Sequence, residues 1–266
     1  DASAHPIYLN RLLVDADFVL PITSGRCGDL DCQSDLHGFF PAFSDSASRL
    51  RLLSHPAEAV AEAADPNEPA MLLGAQLMLS VTSSDTGEAA EIFAGTTIGI
   101  RKRLLEIRHI PEGNSSTSLV VASLDGNQQQ QTWQNVARAA AAAARLADTS
   151  GTLVLWTHLS DAPTGCLLRL SDDTAELGIY SETPSEEELP LWDPTLTPAH
   201  TLRKLAQEYR ILLHSNLPPE EAEALGIGTI QSGDELTNLT RSFANCSLLR
   251  AASFCGATYN WPETSF

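Results

Sequence analysis

The side chains best suited to chemistry gather around one irregular stretch. From Thr23 to Asp45 the sequence carries Gly25, Gly28, Gly38 and Pro41 together with Cys27, Cys32 and His37, and His55 follows just beyond, before Pro56. An imidazole titrates near neutrality and can serve as base, acid or metal ligand. A loop of this length inside a compact protein is usually functional, so His37 and His55 are expected to flank a cleft wall. His158 is a third imidazole of interest. It follows the apolar run 151–157, at the C-terminal end of a strand, where open α/β sheets place their ligands. His109, His200 and His214 read as ordinary histidines.

No standard catalytic signature is present. The chain has no G-x-G-x-x-G, no phosphate-binding G-x-x-x-x-G-K-S/T, no G-x-S-x-G and no H-E-x-x-H. Cys27 and Cys32 have no second pair at zinc spacing. The five scattered cysteines fit a reducing cytoplasm, with the thiols used mainly as small core residues.

The elements that must position these residues alternate between strand and helix. Residues 9–14 read as a short helix and Asp17–Ile22 as a buried strand. Helices are expected over 46–53 and 57–64, and Asp65-Pro66-Asn67-Glu68-Pro69 breaks the pattern as the boundary between a first domain, 1–68, and a second, 69–266. Runs 76–82 and 90–94 read as a hairpin, followed by a helix from Gly95 to Arg108. Ser118–Ser123 is a continuous apolar run of the kind found in parallel sheets. A helix over 132–147 places Trp133, Val136, Ala137, Ala140, Ala141 and Ala144 on one face. Strands follow at 151–157, 210–214, 228–232 and 247–254, and helices at 197–207, 218–225 and 233–244. This alternation predicts an α/β protein whose second domain is an open, mostly parallel three-layer sheet, Rossmann-like.

Composition excludes several functions. Acidic residues number 34 and basic residues 16, a net charge of −18. A nucleic-acid binder needs Lys and Arg to neutralise phosphates, and an anionic membrane surface needs them as well. Apolar runs are too short to span a bilayer, and no signal-peptide pattern opens the chain, so a cytoplasmic location is expected. Only two lysines occur, Lys102 and Lys204.

Several ordered segments resemble the nickel-dependent lactate racemase family. Residues 6–20, PIYLNRLLVDADFVL, are similar to that family's P-x-Y-x-N-R…A-D segment. Ile92-Phe93-Ala94-Gly95 resembles the strand that opens its second domain. Ser118–Ser123, Thr132–Asn135 with the alanine helix, and Gly151–Leu155 resemble its D-x-V-I-A-S…Y-Q…G-G-x-I-x-L run. Arg210–Ser215 with Leu217-Pro218 resembles a later strand and helix start.

The resemblance implies a two-domain α/β enzyme with its site between the domains, and a first domain present here as an incomplete α/β portion. It also implies racemisation or epimerisation of a small 2-hydroxy acid. In that family a nickel-pincer nucleotide derived from nicotinic acid takes up and returns the hydride, while histidines handle the hydroxyl proton. Carried onto this chain, the nickel-ligand position falls at His55. The loop histidine falls at Cys27 and the tethering lysine at His37, so Cys27 and His37 are the candidates for proton transfer. Trp133 and Gln134 fall at a cleft-lining Tyr-Gln pair. The neighbouring lysine falls at Ala137, with Arg138 beside it as a substitute cation for substrate or cofactor. Two functions follow: a 2-hydroxy-acid racemase or epimerase, and a non-catalytic relative that binds a small acid or nucleotide without the lysine tether.

Overall fold

Buried, branched runs build the larger of two sheets. A computed structural model describes residues 8–24, 43–44, 70, 72–83, 89–107, 116–171 and 193–255. Within them, α1 (Arg11–Val14), β1 (Ile22–Ser24), β2 (Met78–Ser83), β3 (Ala89–Gly95) and α2 (Thr97–Ile107) come first. Next are β4 (Thr117–Ser123), α3 (Trp133–Ala144), β5 (Ala147–Trp156), α4 (Leu196–Glu208) and β6 (Arg210–His214). The last are α5 (Pro219–Ala224), β7 (Gly228–Thr229), α6 (Gly233–Thr240) and β8 (Cys246–Leu249). The fold is α/β, as expected.

The five-stranded sheet has the order β7-β6-β5-β4-β8, and every pair is parallel. Its helices follow from handedness. Right-handed crossovers put every helix of a series that steps in one direction on the same face. The steps β4 to β5, β6 and β7 run one way through α3, α4 and α5. The return from β7 to β8 runs the other way, so α6 covers the opposite face. The two cores agree with this. Val120, Ala122, Leu153, Leu155, Ile211 and Leu213 pack under the residues of α3 and α4. Leu119, Val121, Val154, Leu212 and Ile230 pack under Leu236, Leu239 and Phe243. The alanines of α3 let that helix lie close to the strands; Ala139, Ala140, Ala142 and Ala143 are fully buried. Both faces being covered is the reason residues 118–123 read as one unbroken apolar run.

The smaller sheet has the order β1-β2-β3, with β1 parallel and β3 antiparallel to β2. Met78 and Ser80 face α2, where Met78, Ile100 and Leu104 form a small core. The expected hairpin is therefore present. Because β1 pairs with β2, residues on both sides of the 65–69 segment belong to one sheet, and the change of sheet comes after Ile107.

Three expectations need correction. Asp17–Leu20 is irregular rather than a buried strand, and Asp17, Phe18 and Leu20 are exposed. The strand begins only at Ile22, where pairing with Leu79 begins. The last strand stops at Leu249 instead of running to Phe254, because Ala251 takes a left-handed conformation (φ 48°) and a 3-10 turn, Ala252–Phe254, follows. The described cysteines are not mainly core residues, since Cys246 is exposed and Cys166 and Cys255 are only partly buried. The helices expected over 46–53 and 57–64, the segment 65–69, and His109 lie outside the described residues.

Candidate functional site

Strand order reverses between β4 and β8, and the carboxyl ends of strands at such a point are the usual ligand position in an open α/β sheet. Two loops close on it. Ser123, the last residue of β4, donates through Oγ to Asp125 Oδ1 at 2.9 Å. From the end of β8, Arg250 places Nη2 3.4 Å from Asp125 Oδ2. A hydroxyl, a carboxylate and a guanidinium therefore converge across the switch point from residues 125 positions apart.

The loop after β4 is held rigidly. Gly126 adopts φ 99°, and a Cβ there would run into the Gln130 amide, whose Oε1 accepts from the Asn127 N–H at 3.0 Å. Only glycine allows that close approach. Gln131, 2% exposed, ties two strand ends together. Its Oε1 accepts from the His158 N–H at 2.9 Å and its Nε2 donates to the Leu124 carbonyl at 3.2 Å. The next strand end joins the same network, as Asn216 Nδ2 donates to the His158 carbonyl at 3.1 Å.

Helix α3 starts at this rim. Thr132 caps it by accepting from the Asn135 N–H at 3.3 Å, which fixes where the positive end of the helix dipole points. Trp133 is buried and its indole N–H is committed to the Asp161 carbonyl at 2.9 Å. It belongs to the core between α3 and the sheet. Gln134 and Arg138, four residues apart, share a half-exposed stripe of the helix. Arg138 Nη1 donates to Asn135 Oδ1 at 3.2 Å. Ala137, where the resemblance put a lysine, is inside the core at 2% exposure. The helix thus carries its cation one position later, at Arg138.

A second aromatic group stands on the other side of the rim. The rings of Trp156 and His214, paired in register at the ends of β5 and β6, stack with centroids 3.7 Å apart and planes 19° from parallel. His158 is exposed beside them, with both backbone polar groups bonded.

The start of α4 is locked by a carboxylate. Asp193 accepts from the Cys166 N–H at 3.0 Å, the Thr195 N–H at 2.8 Å and the Thr195 hydroxyl at 2.6 Å. Partial burial pushes its pKa up, but the hydrogen bonds from Thr195 and Cys166 together outweigh that and hold it below the ordinary carboxylate range. Burial, and then the facing Asp193 carboxylate, push the Cys166 thiol up to about 11, so it stays protonated. Farther along α4, burial and then Lys204 and Arg203 hold His200 below the usual imidazole value.

Of the residues chosen from sequence, Trp133, Gln134 and Arg138 sit together on the first turns of α3. Cys27, His37 and His55 lie outside the described residues. Among the described residues, no group of three or more His, Cys, Asp and Glu is arranged to hold a metal ion, and no helix is long and apolar enough to cross a membrane. Sequence reasoning passed over Asp125, Arg250, Trp156 and His214. The available signal was the polar or aromatic residue that ends each apolar run: Ser123, Trp156 and His214.

Backbone comparison places this architecture among known ones. The chain superposes on the lactate racemase apoprotein from Thermoanaerobacterium thermosaccharolyticum with a TM-score of 0.71 at 13% identity, over 95% of this chain and 66% of that one. The fold is lactate-racemase-like. A protein from Thermotoga maritima is also similar, with a TM-score of 0.56 at 12% identity, over 95% of this chain and 69% of the other. The chain spans about two thirds of the length of these two structures. No protein-family model matches it, and no curated protein does.

Proposed function

We propose that this lactate-racemase-like protein binds a small 2-hydroxy acid, in the cytoplasm, at the carboxyl ends of β4 and β8. The observation that carries the reading is the Ser123–Asp125–Arg250 group at the switch point of a fully parallel sheet. Arg250 supplies a forked donor for the carboxylate, Asp125 orients it, and the positive end of α3 adds a favourable field. Gln134 offers a polar contact, Arg138 a second cation, and Trp133 a fixed apolar wall.

The nickel-pincer nucleotide that the resemblance implies does not fit this chain as a lysine-tethered group. The only lysines are Lys102, on α2, and Lys204, on α4, and neither belongs to the loop 23–45. Racemase or epimerase activity would rest on His55 as metal ligand and on His37 or Cys27 for proton transfer.

Calorimetry with L- and D-lactate tests the acid site, with saturable binding of at least one enantiomer expected. Absence of binding by both would overturn the reading. Protein produced together with the cofactor-making enzymes is expected to carry no cofactor after denaturation, by absorbance and intact mass. A cofactor that survives denaturation would overturn the tether argument, and interconversion of the lactate enantiomers would decide for the racemase.

A further inference from the structure

His214 is held in place at every point but one. Its carbonyl accepts from both the N–H and the hydroxyl of Thr157, at 2.9 and 3.0 Å. Its ring lies against Trp156. Its Nδ1 is 2.8 Å from the Ile230 carbonyl. A carbonyl can only accept, so Nδ1 carries the hydrogen and the neutral ring presents its lone pair at Nε2. Among the described residues no hydrogen bond reaches Nε2, and the atom is not sealed in the core. A purely packing histidine needs none of this orientation.

The position is equally specific. Residues alternate between faces along a strand. Leu119 and Val121, Val154, and Leu212 face the α6 side, and two residues beyond these rows come Ser123, Trp156 and His214, side by side in register. The row therefore ends the apolar stripe at the rim and runs from the Arg250–Asp125 pair to the imidazole. We propose that His214, through Nε2, accepts the hydroxyl proton of the bound acid in a hydrogen bond, with the acid lying across Trp156 and its carboxylate on Arg250. This assignment rests on the acid-binding reading above. Arg250 follows β8, three strands from β6, but its side chain reaches back to Asp125 just past the end of β4. From β4 to β6 is two strand spacings, about 10 Å, and a hydrogen bond of about 3 Å at each end leaves about 4 Å, close to the separation of a carboxylate oxygen from the hydroxyl oxygen of a 2-hydroxy acid.

L-Lactate and propionate differ only in the hydroxyl, so their affinity ratio reads this contact. Wild-type protein is expected to bind lactate about tenfold more tightly than propionate, since a site that pairs with a hydroxyl discriminates strongly against its absence. His214→Asn keeps a donor for Ile230 and removes Nε2, and should bring the ratio near one by weakening lactate more than propionate. His214→Gln, which extends an amide toward the Nε2 position, should restore part of it. Nitrogen NMR of the wild-type imidazole is an independent check that needs no variant, with the Nδ1–H form expected and an Nε2 shift on adding lactate. An unchanged ratio in His214→Asn, or an Nε2–H form in the free protein, overturns the role of His214 alone. Failure of both acids to bind overturns the acid site and this role with it.

Discussion

Replacing Asp193 with alanine should loosen the start of α4 and the turn at Gly165–Arg169 together. The carboxylate accepts three hydrogen bonds, two from Thr195 and one from Cys166. A bond to a charged acceptor contributes about 1.5–3 kcal/mol when one partner is removed. The sum is smaller here. The Cys166 N–H retains Thr195 Oγ at 2.9 Å, and water reaches the half-buried site, so the expected loss is about 2 kcal/mol. For a unit of this size that is a drop of about 4–8 °C in melting temperature. The pH dependence supplies the sharper test. A carboxylate whose folded pKa is depressed stabilises the fold above its unfolded pKa of about 3.9, and the contribution is lost as pH falls through the folded value. Wild type and Asp193→Ala should therefore differ most near neutrality and converge in acid. Urea melts followed by circular dichroism at several pH values measure this. Equal midpoints at neutral pH, or a gap that persists undiminished at about pH 2, would refute the reasoning.

Two other substitutions probe the same framework. Gly165→Ala meets both a φ of 55° and the Asp193 carboxylate, so it should cost about 2 kcal/mol or more; combined with Asp193→Ala the loss should be less than additive, and strict additivity in the melts would show that the two do not share space. Gln131→Leu strands the His158 N–H and the Leu124 carbonyl, costing about 2 kcal/mol, and should weaken lactate binding because the rim loops lose their tie; unchanged affinity in calorimetry would separate the rim from the site.

The larger sheet was readable because its physics is local. Residues 118–123 and 210–214 are short, branched and apolar, and strands buried on both faces must be so; the second of these ran over Arg210–His214 as expected. The spacing of Trp133, Val136, Ala137 and Ala140 matched a helix packed closely on the sheet for the same reason. Asp17–Leu20 was equally apolar in part, yet it is no strand, because its partner β2 lies more than fifty residues away and pairing begins only at Ile22. Nothing local could show where that pairing starts. The turn at Ala251 was hidden too, since the left-handed conformation there belongs to an alanine and not to a glycine.

The sites divide in the same way. Residues close in sequence on one helix, Trp133, Gln134 and Arg138, were found as a group because helical spacing alone puts them together. Asp125 with Arg250, and Trp156 with His214, meet only through strand order and parallel register. Composition and periodicity determined an acidic, lysine-poor α/β chain with an apolar parallel sheet. Tertiary structure decided which strand ends became neighbours, because the strand order, which no local preference fixes, reverses between β4 and β8 and brings charge and imidazole to one rim.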